Sequence, residues 1–250
     1  MHSRDYAATR PLAVLHQGQS RWYQPLLTAS LHHNLPLFVY AAQPGMGLEA
    51  ALTALQPLSF RGAVLEDPGL QALALDVVQH LEPEALQARR VDLVLPEVTG
   101  NRGFYLEPIA LANLIRRYAF GDKALWLGPI RSELAQGLRG LTKVSVLSRS
   151  FPEGEGFLEL LPVPQRGVVA AAEVQATVVA RQADLILYAG GNLPLALLQP
   201  YHSVIALKPL PSEALRLIGE YVPPEEFQKF HLAALFEALG YALPPETFVV

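Results

Sequence analysis

The chain has 250 residues, 51% of them hydrophobic, and a formal net charge of -4. That is enough apolar material for one large domain or two modest ones, and 15 Arg and 4 Lys against 23 acidic residues leave no global positive field for nucleic acid or anionic lipid. The absence of cysteine excludes disulfides, thiolate chemistry and the usual structural zinc and iron-sulfur sites, and fits a cytoplasmic chain.

The start, MHSRDYAATR, is polar and is not followed by the apolar core of a signal peptide. PLAVLHQG (11–18) then reads as a buried strand ending in a polar turn, and PLLTASL (25–31) as a helix opening at proline. PLFVYAA (36–42) predicts a strand, GLEAALTALQPL a helix running to Pro57, and FRGAVLE a further strand. GLQALALDVVQHL predicts one long helix, VDLVLPEV (91–98) a strand, and Glu107 to Ala119 a helix. DKALWLG (122–128) follows as a strand, PIRSELAQGLRGL begins as a helix, and KVSVLSR is again a strand. AAEVQATVVARQ predicts a helix, and ADLILYAG and HSVIALKPL predict strands. EEFQKFHLAALFEAL makes a final amphipathic helix that stops before Gly240, a suitable C-cap. No run approaches the roughly 20 apolar residues that cross a bilayer.

Strand-helix alternation of this kind predicts an α/β protein with mostly parallel sheets covered on both faces. Two lobes are expected, residues 1–104 plus 221–250 and residues 105–220, joined by a packed hinge with a cleft that would take a small-molecule ligand. No Gly/Ser-rich linker separates them.

The segment order resembles the shikimate dehydrogenase family, which has a substrate lobe, a Rossmann lobe for a nicotinamide nucleotide, and a last helix returning to the first lobe. The likeness spans nearly the whole chain and rests on successive landmarks. The family's G-x-P-x-x-H-S-x-S-P is matched by His16, Gly18, Arg21, Trp22, Gln24 and Pro25, so both serines that hydrogen-bond the substrate carboxylate are replaced, by Trp22 and Gln24. GAVLEDPGL resembles G-x-N-V-T-x-P-x-K and keeps Gly62 and Pro68, but Val64, Glu66 and Leu70 replace Asn, Thr and Lys. The family lysine manages the proton of the reacting hydroxyl, and leucine has no proton to exchange.

RGFYLEP resembles G-x-N-T-D-G: Gly103 is kept, Tyr105 and Leu106 replace Asn and Thr, and Glu107 replaces the Asp that works beside the lysine. The family's other substrate asparagine has no counterpart near Val94. On the last helix Phe230 or His231 falls at the place of the substrate glutamine, with Gln228 out of phase. The resemblance thus implies a substrate pocket lined by His16, Trp22, Gln24, Tyr105 and His231, and makes Glu66 and Glu107 the candidate acid/base carboxylates, facing one another across the cleft.

In the second lobe LWLGPIRSEL stands where the family has its glycine-rich phosphate turn. It keeps Gly128, lacks G-x-G-x-x-G and is about two residues shorter, and Pro129 removes an amide donor. The amides of Arg131 and Ser132 remain for an anion, and a purely structural turn is the alternative. LSRS resembles the family's N-R-T signature for NADP, with Ser148, Arg149 and Ser150 in its places. Gly190 and Gly191 in LYAGGNLP give room for the nicotinamide half or make an ordinary sharp turn.

No metal set is expected, because His32 and His33 are adjacent and no HExxH spacing occurs. The preferred reading is a shikimate-dehydrogenase-like protein unable to oxidise shikimate efficiently. The alternatives are an NADP-dependent oxidoreductase acting on shikimate or a related hydroxy acid, and a non-catalytic metabolite-binding or structural protein.

Overall fold

The computed structural model describes residues 9–45, 47–119 and 121–250, so the first eight residues of the polar start lie outside the described residues. The chain separates into two units, Met1–Leu106 with His231–Val250, and Glu107–Phe230.

The first unit is a six-stranded sheet in the order β2-β1-β3-β5-β6-β4. Its strands are β1 (Arg10–Leu15), β2 (Leu37–Ala42), β3 (Gly62–Leu65), β4 (His80–Leu81), β5 (Leu93–Glu97) and β6 (Gly100–Phe104). β1 runs parallel to β2 and β3, whereas β5 is antiparallel to both β3 and β6. Successive side chains of a strand point to opposite faces, so β1 feeds two cores at once. Leu12 and Val14 pack with Leu26 and Ala29 of α1 (Tyr23–His32) and with Leu232, Leu235 and Phe236 of α8 (Pro224–Ala238). Ala13 and Leu15 pack on the other face with Leu48 and Leu52 of α2 (Leu48–Thr53) and Leu70 of α3 (Pro68–Leu73).

Several sequence expectations change here. The single helix read over GLQALALDVVQHL is instead α3, a 3-10 turn at Ala74–Asp76 and the short strand β4. The segment must return a strand to the sheet beside β6, and that pairing overrides helix propensity. The start of RGFYLEP, a segment assigned no element from the sequence, lies in β6, the second arm of a hairpin with β5, entered through Gly100 at φ +126°. α4 (Pro83–Ala88) was also not expected, and α2 ends well before Pro57.

The second unit is wholly parallel, in the order β12-β11-β10-β7-β8-β9. Its strands are β7 (Lys123–Leu127), β8 (Lys143–Leu147), β9 (Arg166–Ala170), β10 (Leu185–Tyr188), β11 (Ser203–Ala206) and β12 (Glu220–Val222). In chain order this is the doubly wound dinucleotide-binding arrangement, with the order reversing between β7 and β10. Ala124 and Trp126 face a core shared with Leu111 and Leu114 of α5 (Glu107–Tyr118) and Phe157 of α6 (Phe151–Glu159). Leu125 and Leu127 face Ala176 and Ala180 of α7 (Glu173–Ala180). α6, β9 and β12 add to the elements read from sequence.

PIRSELAQGLRGL does not form an α-helix: Ser132–Leu138 is a 3-10 turn. Gly137 presses against α5, where a Cβ would lie 2.6 Å from the Pro108 carbonyl oxygen. The second unit runs to Phe230 rather than to 220, because Phe227 and Phe230 of α8 belong to its core while Leu232 onward belongs to the first unit. Among the described residues no helix is long and apolar enough to cross a membrane.

Candidate functional site

In the first unit two of the sequence-predicted residues, His16 and Glu66, lie at the ends of β1 and β3. Those strands are in register, Leu15 beside Leu65, so His16 and Glu66 leave the sheet side by side. The Glu66 amide donates to the Leu15 carbonyl at 3.0 Å. Its side chain turns onto the loop that opens α1 and is buried. Oε2 accepts from Ser20 Oγ at 2.7 Å and Oε1 from the Arg21 amide at 2.7 Å; Arg21 Nε reaches Oε1 at 3.2 Å and the Trp22 amide reaches Oε2 at 3.5 Å. Ser20 Oγ in turn accepts from the Tyr23 amide at 3.0 Å. The first amides of a helix have no partner within it, and here a carboxylate and a hydroxyl supply them. The neighbouring Asp67 Oδ2 accepts from the Gln17 amide at 2.6 Å, so the same strand exit grips the loop twice.

His16 is half-buried, and its Nδ1 is enclosed with no hydrogen-bond partner among the described residues. Gln24 is exposed on α1. Trp22, Tyr105 and His231 are packed side chains, at 8%, 1% and 3% exposure. The Trp22 and His231 rings meet edge to face, with centroids 4.8 Å apart. His231 Nε2 lies 2.8 Å from Asp92 Oδ2, which also accepts from the Leu106 amide at 2.8 Å. Asp92 is fully buried. Sequence reading passed over it, although an aspartate inside the apolar run VDLVL is itself a signal, since a buried carboxylate must find donors. Leu70 is 3% exposed and shares a core with Leu65, Val94 and Tyr105.

Glu107 belongs to the second unit, at the first turn of α5. Its Oε2 pairs with Arg131 Nη2 at 2.5 Å, and Arg131 Nε pairs with Glu133 at 3.0 Å. The guanidinium expected beside an anion is therefore held between two carboxylates of its own unit.

Four of the eight nucleotide-type residues of this unit line a cavity of about 510 Å³ at the carboxyl ends of β7, β8 and β10, and Arg131, Ser132, Ser150 and Gly190 are not among its lining residues. Gly128, Ser148, Arg149 and Gly191 line it, together with Glu153 and Asn192, which sequence reading did not select. A crevice at that switch point is where open parallel sheets take ligands. Gly128, Gly190 and Gly191 all have positive φ, at +104°, +109° and +82°. A Cβ on Gly128 would stand 2.2 Å from the Gly190 carbonyl oxygen, so these glycines let the turns after β7 and β10 touch. Tyr188 Oη donates to the Gly191 carbonyl at 2.7 Å, and burial pushes the Tyr188 hydroxyl pKa up. Trp126 Nε1 donates to the Pro129 carbonyl at 3.0 Å and fixes the other turn.

After β8, Ser148 Oγ donates to the Ser150 carbonyl at 3.0 Å and accepts from the Ser150 amide at 3.2 Å. Ser150 Oγ caps α6 by accepting from the Glu153 amide at 3.4 Å. Both hydroxyls are thus engaged in local structure, whereas the exposed Arg149 side chain makes no hydrogen bond or ion pair among the described residues. Ser132 begins the 3-10 turn. Among the described residues there is no group of three or more His, Asp or Glu placed to hold a metal ion.

No protein-family model and no curated protein matches the chain in sequence. Solved structures match its architecture. Shikimate 5-dehydrogenase from Listeria monocytogenes, solved with shikimate and NAD, is 13% identical with a TM-score of 0.80 over 98% of this chain and 97% of that one. Quinate dehydrogenase from Corynebacterium glutamicum, solved with NAD, is 17% identical with a TM-score of 0.78 over 96% of each chain. Shikimate 5-dehydrogenase from Thermus thermophilus, solved with NADP(H) and shikimate, is 22% identical with a TM-score of 0.75 over 95% of this chain and 96% of that one. With its mixed first sheet, its doubly wound second sheet and its helix shared between their cores, the chain has the shikimate and quinate dehydrogenase fold.

Proposed function

We propose that the chain is a diverged member of the shikimate dehydrogenase family that binds NADP in its second unit and does not oxidise shikimate at ordinary enzyme rates. Leu70 carries the second half of this reading. It stands at the position matching the family's proton-handling lysine, and it is a 3%-exposed core residue packed with Leu65 and Tyr105. Removing a positioned acid or base costs roughly 10²- to 10⁴-fold in rate. Tyr105, Trp22 and His231 support the same reading, because each is packed against protein partners where the resemblance implies contact with substrate.

The fit of a nicotinamide nucleotide is uneven along its length. When bound, such a nucleotide supplies the hydride acceptor or donor. The residues fit its adenosine-phosphate end: Arg149 lines the cavity at the exit of β8 with its guanidinium uncommitted, the position from which a 2'-phosphate is paired. Glu153 on the same wall opposes part of that attraction. The pyrophosphate end fits poorly, since Pro129 has no amide to donate, Arg131 is paired with Glu107 and Glu133, and a 3-10 turn replaces the helix whose first amides would face the phosphates. Affinity is therefore weak and concentrated on Arg149. Titration with NADP and NAD tests this: NADP binds at least about tenfold more tightly, and Arg149→Ala abolishes the preference. Equal affinities, or a preference unchanged by the substitution, remove Arg149 from the site.

A second reading, a metabolite-binding protein without turnover, is favoured by Glu66, whose buried carboxylate is already surrounded by donors of its own chain. Saturable binding of a small metabolite with no nucleotide reduction distinguishes it.

A further inference from the structure

We propose that Glu66 is a built-in anion: its carboxylate occupies an anion cradle at the entry to α1, orders that entry, and keeps any ligand carboxylate out of it. The case rests on what surrounds the group. All four of its contacts, from Ser20 Oγ, the Arg21 amide, Arg21 Nε and the Trp22 amide, are donors, the set an ionised carboxylate accepts. Two are main-chain amides at the positive end of a ten-residue helix, one is a guanidinium nitrogen, and one is a hydroxyl that itself receives the Tyr23 amide. An external carboxylate would ask for the same donors in the same places.

The carboxylate arrives from β3, a different part of the chain some 45 residues away, so nothing local to the loop explains the cluster. Its side chain is 3% exposed, whereas that of Arg21 is 70% exposed, so one donor side chain of the cradle stands in solvent while the acceptor is sealed. The ligand accepted by the first unit therefore carries no carboxylate at this point. This goes beyond the dehydrogenase reading and does not depend on it, because neither the cradle nor its test involves a nucleotide.

The chemistry of one substitution makes the test specific. Glu66→Ala deletes the γ-carbon and the carboxylate, which together have the shape of acetate. In the variant, acetate should refill the vacancy and raise the thermal midpoint, by about 3–6 °C at roughly ten times its dissociation constant. Acetamide, equal in shape but neutral, and chloride at the same ionic strength should not reproduce the shift, and the unaltered protein should ignore acetate. If the variant fails to fold in chloride, acetate should restore the folded protein. A folded variant indifferent to acetate, an acetamide effect equal to that of acetate, or an unfolded variant that acetate cannot recover would each overturn the proposal.

Discussion

At the scale of single residues, the first unit buries polar and charged side chains as internal pairs. His231 and Asp92 bond at 2.8 Å inside the core, and Glu66 closes on α1. These roles were only half legible in the sequence. Glu66 and His231 stood out because they fall at landmark positions, but their partners Ser20 and Asp92 lie outside the landmarks, and pairing across 139 residues leaves no local pattern. His202 is a similar case in the second unit. It is fully buried, accepts the Gln199 amide at Nδ1 and meets the Ala180 carbonyl through Nε2 at 2.9 Å. Burial pushes its pKa below 6.5, opposed in part by the Ala180 carbonyl and the charge of Asp184. The neutral ring is thus the folded form. Its contribution to stability is complete above the unfolded-state value near 6.5 and is lost as pH falls toward the folded-state value. Denaturation midpoints at about pH 7.5 and about pH 5.5 should show the gap between the protein and His202→Gln narrowing at the lower pH, with a slope of at most about 1.4 kcal/mol per pH unit. A gap independent of pH would contradict the assignment.

At the scale of elements, strands bounded by turn residues were legible and short or interrupted pieces were not. β7, β10 and β11 are buried on both faces and so read as continuous apolar runs. β6, with the sequence GNRGF, has no apolar run to read and is a strand only because β5 and β4 flank it. The end of α8 was the most predictable terminus. Gly240 has φ +93°, its amide donates to the Glu237 carbonyl at 2.9 Å, and the Tyr241 amide reaches the Phe236 carbonyl at 2.8 Å. That is the Schellman arrangement, completed by the Phe236 and Tyr241 rings 6.5 Å apart. Arg61 adds a hydrogen bond to the Leu239 carbonyl, and a Cβ on Gly240 would stand 3.0 Å from Arg61 Nη2. Gly240→Ala should therefore destabilise the protein by about 1–3 kcal/mol, measured by denaturant titration, because alanine is strained at this φ. An unchanged midpoint would show that the cap relaxes at no cost.

At the scale of the whole chain, the fold is kept, and the proposed change in chemistry rests on a few side chains. Each unit keeps its sheet order, and α8 supplies Phe227 and Phe230 to one core and Leu232, Leu235 and Phe236 to the other. The order of segments carried that architecture in the sequence, since it depends on apolar periodicity and turn residues that survive at 13–22% identity. Site chemistry depends on a handful of side chains, and Leu70, on which the proposed function rests, is a core residue. The most direct measurement is steady-state nucleotide reduction by the purified protein with shikimate and NADP, each at saturating concentration. The expected result is turnover at least about 100-fold below the 1–10³ s⁻¹ typical of enzymes. Turnover within that ordinary range would contradict the account.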